Sequence, residues 1–140
     1  MFSNVRVSRV IAQKFQNQIS KKRTYMKYSE VIPYILSFDR VVKRTLNDAG
    51  TAIGFSVQER MFAFFETGAP IQWKLSLEVS EEQFRVLIYP PQITQAKDKP
   101  AGHWITIARV ENCDEGLLKE LIAGSYAKAI AKNATAHSAY

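Results

Sequence analysis

The chain has 140 residues, with 19 Lys and Arg against 13 Asp and Glu, two histidines, one cysteine and a formal net charge of +6. That length supports one domain with a single modest core, no apolar run reaches the length of a membrane span, and a lone Cys113 excludes an internal disulfide framework or a multi-cysteine zinc site. The charge is uneven: residues 1–29 hold seven of the basic residues and no acid, which leaves twelve basic against thirteen acidic residues, a net −1, over residues 30–140. A counterion-release case for nucleic acid needs clustered Lys and Arg, so in the domain it depends on a local patch.

Residues 1–25 read as a basic, acid-free leader. If helical, Val7, Ile11, Phe15 and Ile19 form an apolar stripe at four-residue steps, with Arg6 and Arg9 on the other side. Such a start has the character of a mitochondrial presequence, with Arg23-Thr24-Tyr25 resembling a matrix-processing site. It is equally compatible with a wrongly chosen start upstream of Met26, and less so with a basic arm that binds phosphates or docks on the domain. The expected compartment is the cytoplasm, or the mitochondrial matrix if residues 1–25 are a cleaved presequence.

The domain is expected over residues 26–132. Ser29 can cap a short helix whose buried side is Val31, Ile32, Ile35 and Leu36, with Pro33 near the first turn. Val41 to Arg44 is a first strand or an irregular approach to one. A meander follows. Ile53, Phe55 and Val57 alternate with small residues, Gln58-Glu59-Arg60 turns, and Met61 to Phe65 returns. Gly68 and Pro70 punctuate the next connection, and Ile71 to Leu77 alternates most clearly, with Ile71, Trp73, Leu75 and Leu77 inward.

Ser80 and Gln83 make a capping box for a helix through Leu87, with Phe84, Leu87 and Ile88 toward the sheet. Tyr89-Pro90-Pro91 ends it, and Gln92 to Gly102 is a polar connection. Trp104 to Arg109 has strand character, Ile105 and Ile107 pointing one way and Trp104 and Thr106 the other. After the turn at Glu111-Asn112-Cys113-Asp114, a helix carries Leu118, Ile122 and Tyr126 on a face able to cover a sheet. Residues 133–140 are small and polar and read as a loose tail.

Several of these stretches together resemble the MmcQ/YjbR family. They are Met61-Phe62-Ala63, Leu75 with the helix after it, and His103-Trp104 with Thr106. The acidic turn, Leu117-Leu118-Lys119-Glu120-Leu121-Ile122 and Ser125-Tyr126 complete the likeness, which spans about Met26 to Lys132. It implies an α+β fold, an antiparallel sheet of about five strands with helices packed on one face, related in shape to secretion chaperones and frataxin-like folds. It also implies a double-wing DNA-binding protein. Where the family carries an Asn-Lys pair before the His-Trp, this chain has Asp98-Lys99, without the amide.

Catalytic constellations are not in view. His103 and Cys113 stand at opposite ends of a strand, and His137 falls in the tail, so neither a dyad nor a paired-histidine metal site is formed. Glu81-Glu82 and Asp114-Glu115 sit in first helical turns, where carboxylates favour the helix dipole. No phosphate-cradling glycine loop occurs, and the helix after Ser29 offers only Glu30 toward a frataxin-like iron surface. The expectation is a non-enzymatic binding protein without cofactor or metal.

Its nominal partner is double-stranded DNA, held by Lys74, Lys97, Lys99 and Arg109 at phosphates and Trp104 against bases. In the competing description Trp104 is covered by the Gln92–Gly102 loop and the lysines are ordinary solvated charges. The wings Gln58–Arg60 and Glu66–Gly68 each contain an acid, unfavourable for DNA. The alternative function is a protein-interaction or chaperone-like adaptor with no nucleic-acid role.

Overall fold

The computed structural model describes residues 24–68 and 72–138, with side chains described over 24–67 and 73–132. The amphipathic stripe of the leader, Pro70 and Ile71 lie outside the described residues. Helix α1 spans Tyr28–Leu36, and strands β1 to β4 span Val42–Thr45, Ala52–Val57, Arg60–Gly68 and Gln72–Val79. Helix α2 (Glu81–Leu87), β5 (Ile93–Gln95), β6 (His103–Ile107), a 3-10 turn at Val110–Asn112 and α3 (Glu115–Ser138) complete the order. All neighbouring strands are antiparallel, in the order β1-β2-β3-β4-β6-β5. The architecture is α+β, as expected, with six strands and, among the described residues, three α-helices.

Strand alternation makes one face apolar. Ile53, Phe65, Leu75, Ile107 and Ile93 are successive register partners across β2, β3, β4, β6 and β5, and the next row on that face adds Phe55, Ala63, Leu77 and Ile105. Val31 and Ile35 of α1 and Leu118, Leu121 and Ile122 of α3 belong to the same buried core. Each large side chain withdrawn from water there contributes on the order of 1.5–3 kcal/mol.

Several elements differ from expectation. The connection 92–102 contains β5, a strand too short for its alternation to stand out. The expected loose tail continues α3 to Ser138, because adding a residue to an existing helix costs far less than nucleating one. Thr24 and Tyr25, assigned to the leader, are tied to the fold. The Thr24 carbonyl accepts from the Glu115 N–H at 2.8 Å, and Tyr25 forms a β-bridge with Asp114.

Ser29 is not the cap of α1. The helix starts one residue before it, where the Glu30 carboxylate accepts from the Lys27 N–H at 3.0 Å. Pro33 then falls inside the helix on its exposed side, where water can serve the carbonyl that lost its partner. The capping box of α2 forms as expected, Ser80 Oγ accepting from the Gln83 N–H at 3.1 Å and Gln83 Oε1 from the Ser80 N–H at 3.1 Å. Gln58 and Glu59 make the β2–β3 turn, both at positive φ (51° and 67°), so that Arg60 already belongs to β3.

One irregularity ties α3 to the sheet. The β2–β3 register shifts between Phe55 and Ser56 and leaves Phe62 as the extra residue on β3. Beside it the Ser125 hydroxyl lies between two strands, accepting from the Glu78 N–H at 3.1 Å and donating to the Phe62 carbonyl at 2.6 Å. A side chain thus joins β3 and β4 beyond the last backbone pair of the two strands, Ala63 with Leu77.

Candidate functional site

The sheet face opposite the core carries Phe64, Glu66, Lys74, Ser76, Glu78, Trp104 and Thr106, as the register requires. It is covered in its middle. Trp104 is only 3% exposed, although it is not part of the main core, and its ring meets Phe64 edge-on at 5.4 Å. From the β5–β6 connection Lys99 lies over the Phe64 ring at 4.5 Å, and its Nζ is 3.2 Å from Glu66 Oε1. The Lys99 side chain is 14% exposed, so its charge is shared between a ring face and a carboxylate.

The same connection turns at Asp98 (φ 56°) and Gly102 (φ 135°). A side chain at Gly102 would run into the Glu78 carboxylate, so this glycine permits close approach as well as an unusual backbone. Glu78, whose side chain is 6% exposed, pairs with Lys132 Nζ of α3. Ser76 and Thr106 join hydroxyls at 2.8 Å.

These positions sort the five expected nucleic-acid contacts. Trp104 is sealed, so its indole is closed to base stacking in this conformation, and Lys99 is engaged with Phe64 and Glu66. Lys74, Lys97 and Arg109 are exposed. Lys74 is the register partner of Glu66 and so shares that acid's face with Lys99. Glu66 enters the sequence analysis only as an acid at a hairpin tip, and Glu78 and Lys132 not as site residues at all; alternation could place both glutamates outward, but nothing in it marks Lys99 and Lys132 as their partners.

Reactive groups are equally constrained. Burial, followed by the nearby Asp114 charge, pushes the Cys113 thiol up to about 12 from 9.0, which suppresses the nucleophilic thiolate. Asp114 Oδ2 accepts from the Leu117 N–H at 3.1 Å and so caps α3. His103 is exposed, its ring 5.4 Å from that of Phe84. Among the described residues no group of three His, Cys, Asp or Glu is placed to hold a metal ion, and no helix is long and apolar enough to cross a membrane.

A different region presents unused bonding capacity. All four residues of β1 are exposed, Val42 at 54%, and Leu46 just beyond it is 42% exposed. The Leu46 N–H bonds to the Ala52 carbonyl at 2.8 Å. Antiparallel pairs alternate between bonded and non-bonded, so Arg44 and Val42 also direct their backbone groups at β2. Lys43 and Thr45 therefore turn their N–H and C=O groups away from the sheet.

No protein-family model matches the chain, and no curated protein is significantly similar to it. Solved structures do resemble it. A protein from Pseudomonas syringae superposes with a TM-score of 0.63 at 17% identity, over 74% of this chain and 99% of that one. The Deinococcus radiodurans protein DR2400, with a DUF419 domain, gives 0.63 at 22% identity, over 75% of this chain and 80% of its own. At these identities the likeness is one of fold.

Proposed function

We propose that the protein is a non-enzymatic binding module of the MmcQ/YjbR type that engages a protein partner at the β1 edge. The observation that carries this reading is the four-residue exposed strand with outward N–H and C=O groups at Lys43 and Thr45. An unpaired edge is a template for an incoming extended chain, whose backbone supplies affinity while side chains supply selectivity. Exposed Val42 and Leu46 add apolar area beside it. The DUF419 neighbour is consistent with the family resemblance in fold.

Duplex DNA is the competing ligand. Exposed Lys74, Lys97 and Arg109 are available to phosphates, but two members of the expected set, Lys99 and Trp104, are engaged or covered. The test is a selection from a random peptide library on the full chain, followed by amide hydrogen exchange. Selected peptides are expected to slow exchange at Lys43 and Thr45. The opposite result is that no peptide does so, while a duplex binds with affinity that falls steeply with salt and drops in the K74A/K97A/R109A variant. Salt-dependent binding unchanged in that variant would point to the basic leader acting as a polycation.

A further inference from the structure

We propose that the β1 edge receives an extended segment of a partner protein bearing two adjacent carboxylates. The inference rests on the edge reading above and adds the chemistry of the occupant. Lys43 and Arg44 are consecutive, so they project to opposite faces of the sheet. An incoming strand keeps the same alternation, so two successive residues of it stand beside Lys43 on one face and Arg44 on the other. Only adjacent acidic residues match both cations at once.

Neither cation is matched within the described residues. Arg40 has Asp39 at 3.7 Å, whereas Lys43 and Arg44 make no ion pair there. The turn beyond β1 is held by Asn47, whose Oδ1 accepts from the Thr51 N–H at 3.0 Å and whose Nδ2 donates to Thr51 Oγ1 at 2.8 Å. The strand is therefore anchored on its inner side and at its end, with its outer side presented.

Charge also selects against other occupants. A second copy pairing antiparallel about Lys43 or about Arg44, centrings that keep outward-directed residues opposite one another, would set Lys43 against Lys43 or Arg44 against Arg44 of its mate, and like charges directly opposite are destabilising. Nucleic-acid phosphates would meet the two cations and the outward N–H groups, but they offer no donor to the outward carbonyls of Lys43 and Thr45. An extended polypeptide satisfies donor, acceptor and charge together.

The experiment uses the full chain and fluorescein-labelled octapeptides centred on Val-Glu-Glu-Val or on Val-Gln-Gln-Val, read by anisotropy. The Glu peptide is expected to bind about tenfold more tightly than the Gln peptide, and Lys43→Glu with Arg44→Glu to reverse the order in favour of a Val-Lys-Lys-Val peptide. Thr45→Pro deletes an outward N–H without altering charge or the β1–β2 ladder, and is expected to weaken binding about tenfold. Because the basic leader is intact in that variant, the loss separates strand pairing from general attraction between charges.

If circular dichroism shows Thr45→Pro to be unfolded, amide exchange on the unaltered protein decides. The Glu peptide should slow Lys43 and Thr45 and leave Val42 and Arg44, already bonded to β2, unchanged. Equal affinity for the Gln peptide with the same two amides slowed overturns the carboxylate pairing and leaves the edge reading standing. No slowing with any peptide overturns both. A DNA duplex that slows the same amides overturns the protein-partner assignment in favour of nucleic acid.

Discussion

The two edges of the sheet are finished differently. At β5 the chain covers itself: Ile93 is buried, and on the side away from β6 its backbone exchanges hydrogen bonds with Tyr89 at 2.8 and 3.0 Å. At β1 nothing among the described residues lies alongside, and the strand is exposed throughout. An edge strand invites pairing, and charged residues on it restrict which chains can accept. Of the two outward-directed positions of β5, Ile93 is thus taken up by the chain itself, whereas Lys43 and Thr45 of β1 both keep their outward groups unpaired among the described residues. Between the two edges one face is covered by α1 and α3, and the middle of the other is closed where Trp104 packs against Phe64 and Lys99 lies over the Phe64 ring.

The largest expected contrast is between that sealed centre and the open edge. Ile122→Ala, at a fully buried position, should lower unfolding free energy by about 2–5 kcal/mol in urea titrations. Val42→Ala on β1 should change it by no more than about 0.5 kcal/mol. Equal losses would mean that β1 is covered in solution.

Ser125→Ala comes next. It leaves the Glu78 N–H and the Phe62 carbonyl without the hydroxyl that joins them, at an expected cost of about 1–3 kcal/mol. Faster amide exchange should appear at Glu78 and not in β1. An unchanged rate at Glu78 would show that the strands close on each other without the serine.

Cys113 gives a pH-dependent check on the sealed region. Its folded thiol is raised to about 12 from 9.0, so between those values the unfolded chain releases a proton that the native protein retains. Stability contributed by the protonated, buried thiol is full below about 9 and is lost as pH rises toward 12. Urea midpoints of Cys113→Ala should consequently fall less steeply above pH 9 than those of the unaltered chain. Matching slopes would indicate that the thiol is open to water.

Lys99→Ala should have the smallest effect, about 1 kcal/mol or less, because its ring contact and partly exposed ion pair are individually weak. Its signature is local. In a Trp73→Phe background, acrylamide quenching of Trp104 fluorescence should increase, since the lysine helps to cover Phe64 and the indole edge against it. Unaltered quenching would assign the cover to the rest of the loop.

Much of the scaffold was legible because its signals are local. The alternation of Trp73, Leu75 and Leu77 marks β4, Ser80 with Gln83 marks the start of α2, and Leu118, Ile122 and Tyr126 mark the buried side of α3. Local signals failed where neighbours decide. The three residues of β5 become a strand because β6 is beside them, and α1 starts at Tyr28 because Glu30 reaches back to the Lys27 N–H. Trp104 has the outward phase expected of it, yet it is buried against Phe64, a residue forty positions earlier in the chain.

What the amino-acid order determined by itself is therefore the set of amphipathic segments and the α+β class, since side-chain spacing along a strand or helix depends only on backbone geometry. Tertiary structure alone decided which polar and charged groups remain available. Lys99 and Lys43 are the same residue type in polar surroundings, yet one lies over Phe64 beside Glu66 and the other stands on an open edge. The physical reason is that burial and ion pairing arise from segments distant in sequence, 33 residues apart for Lys99 and Glu66, and no local periodicity encodes which distant partner will arrive.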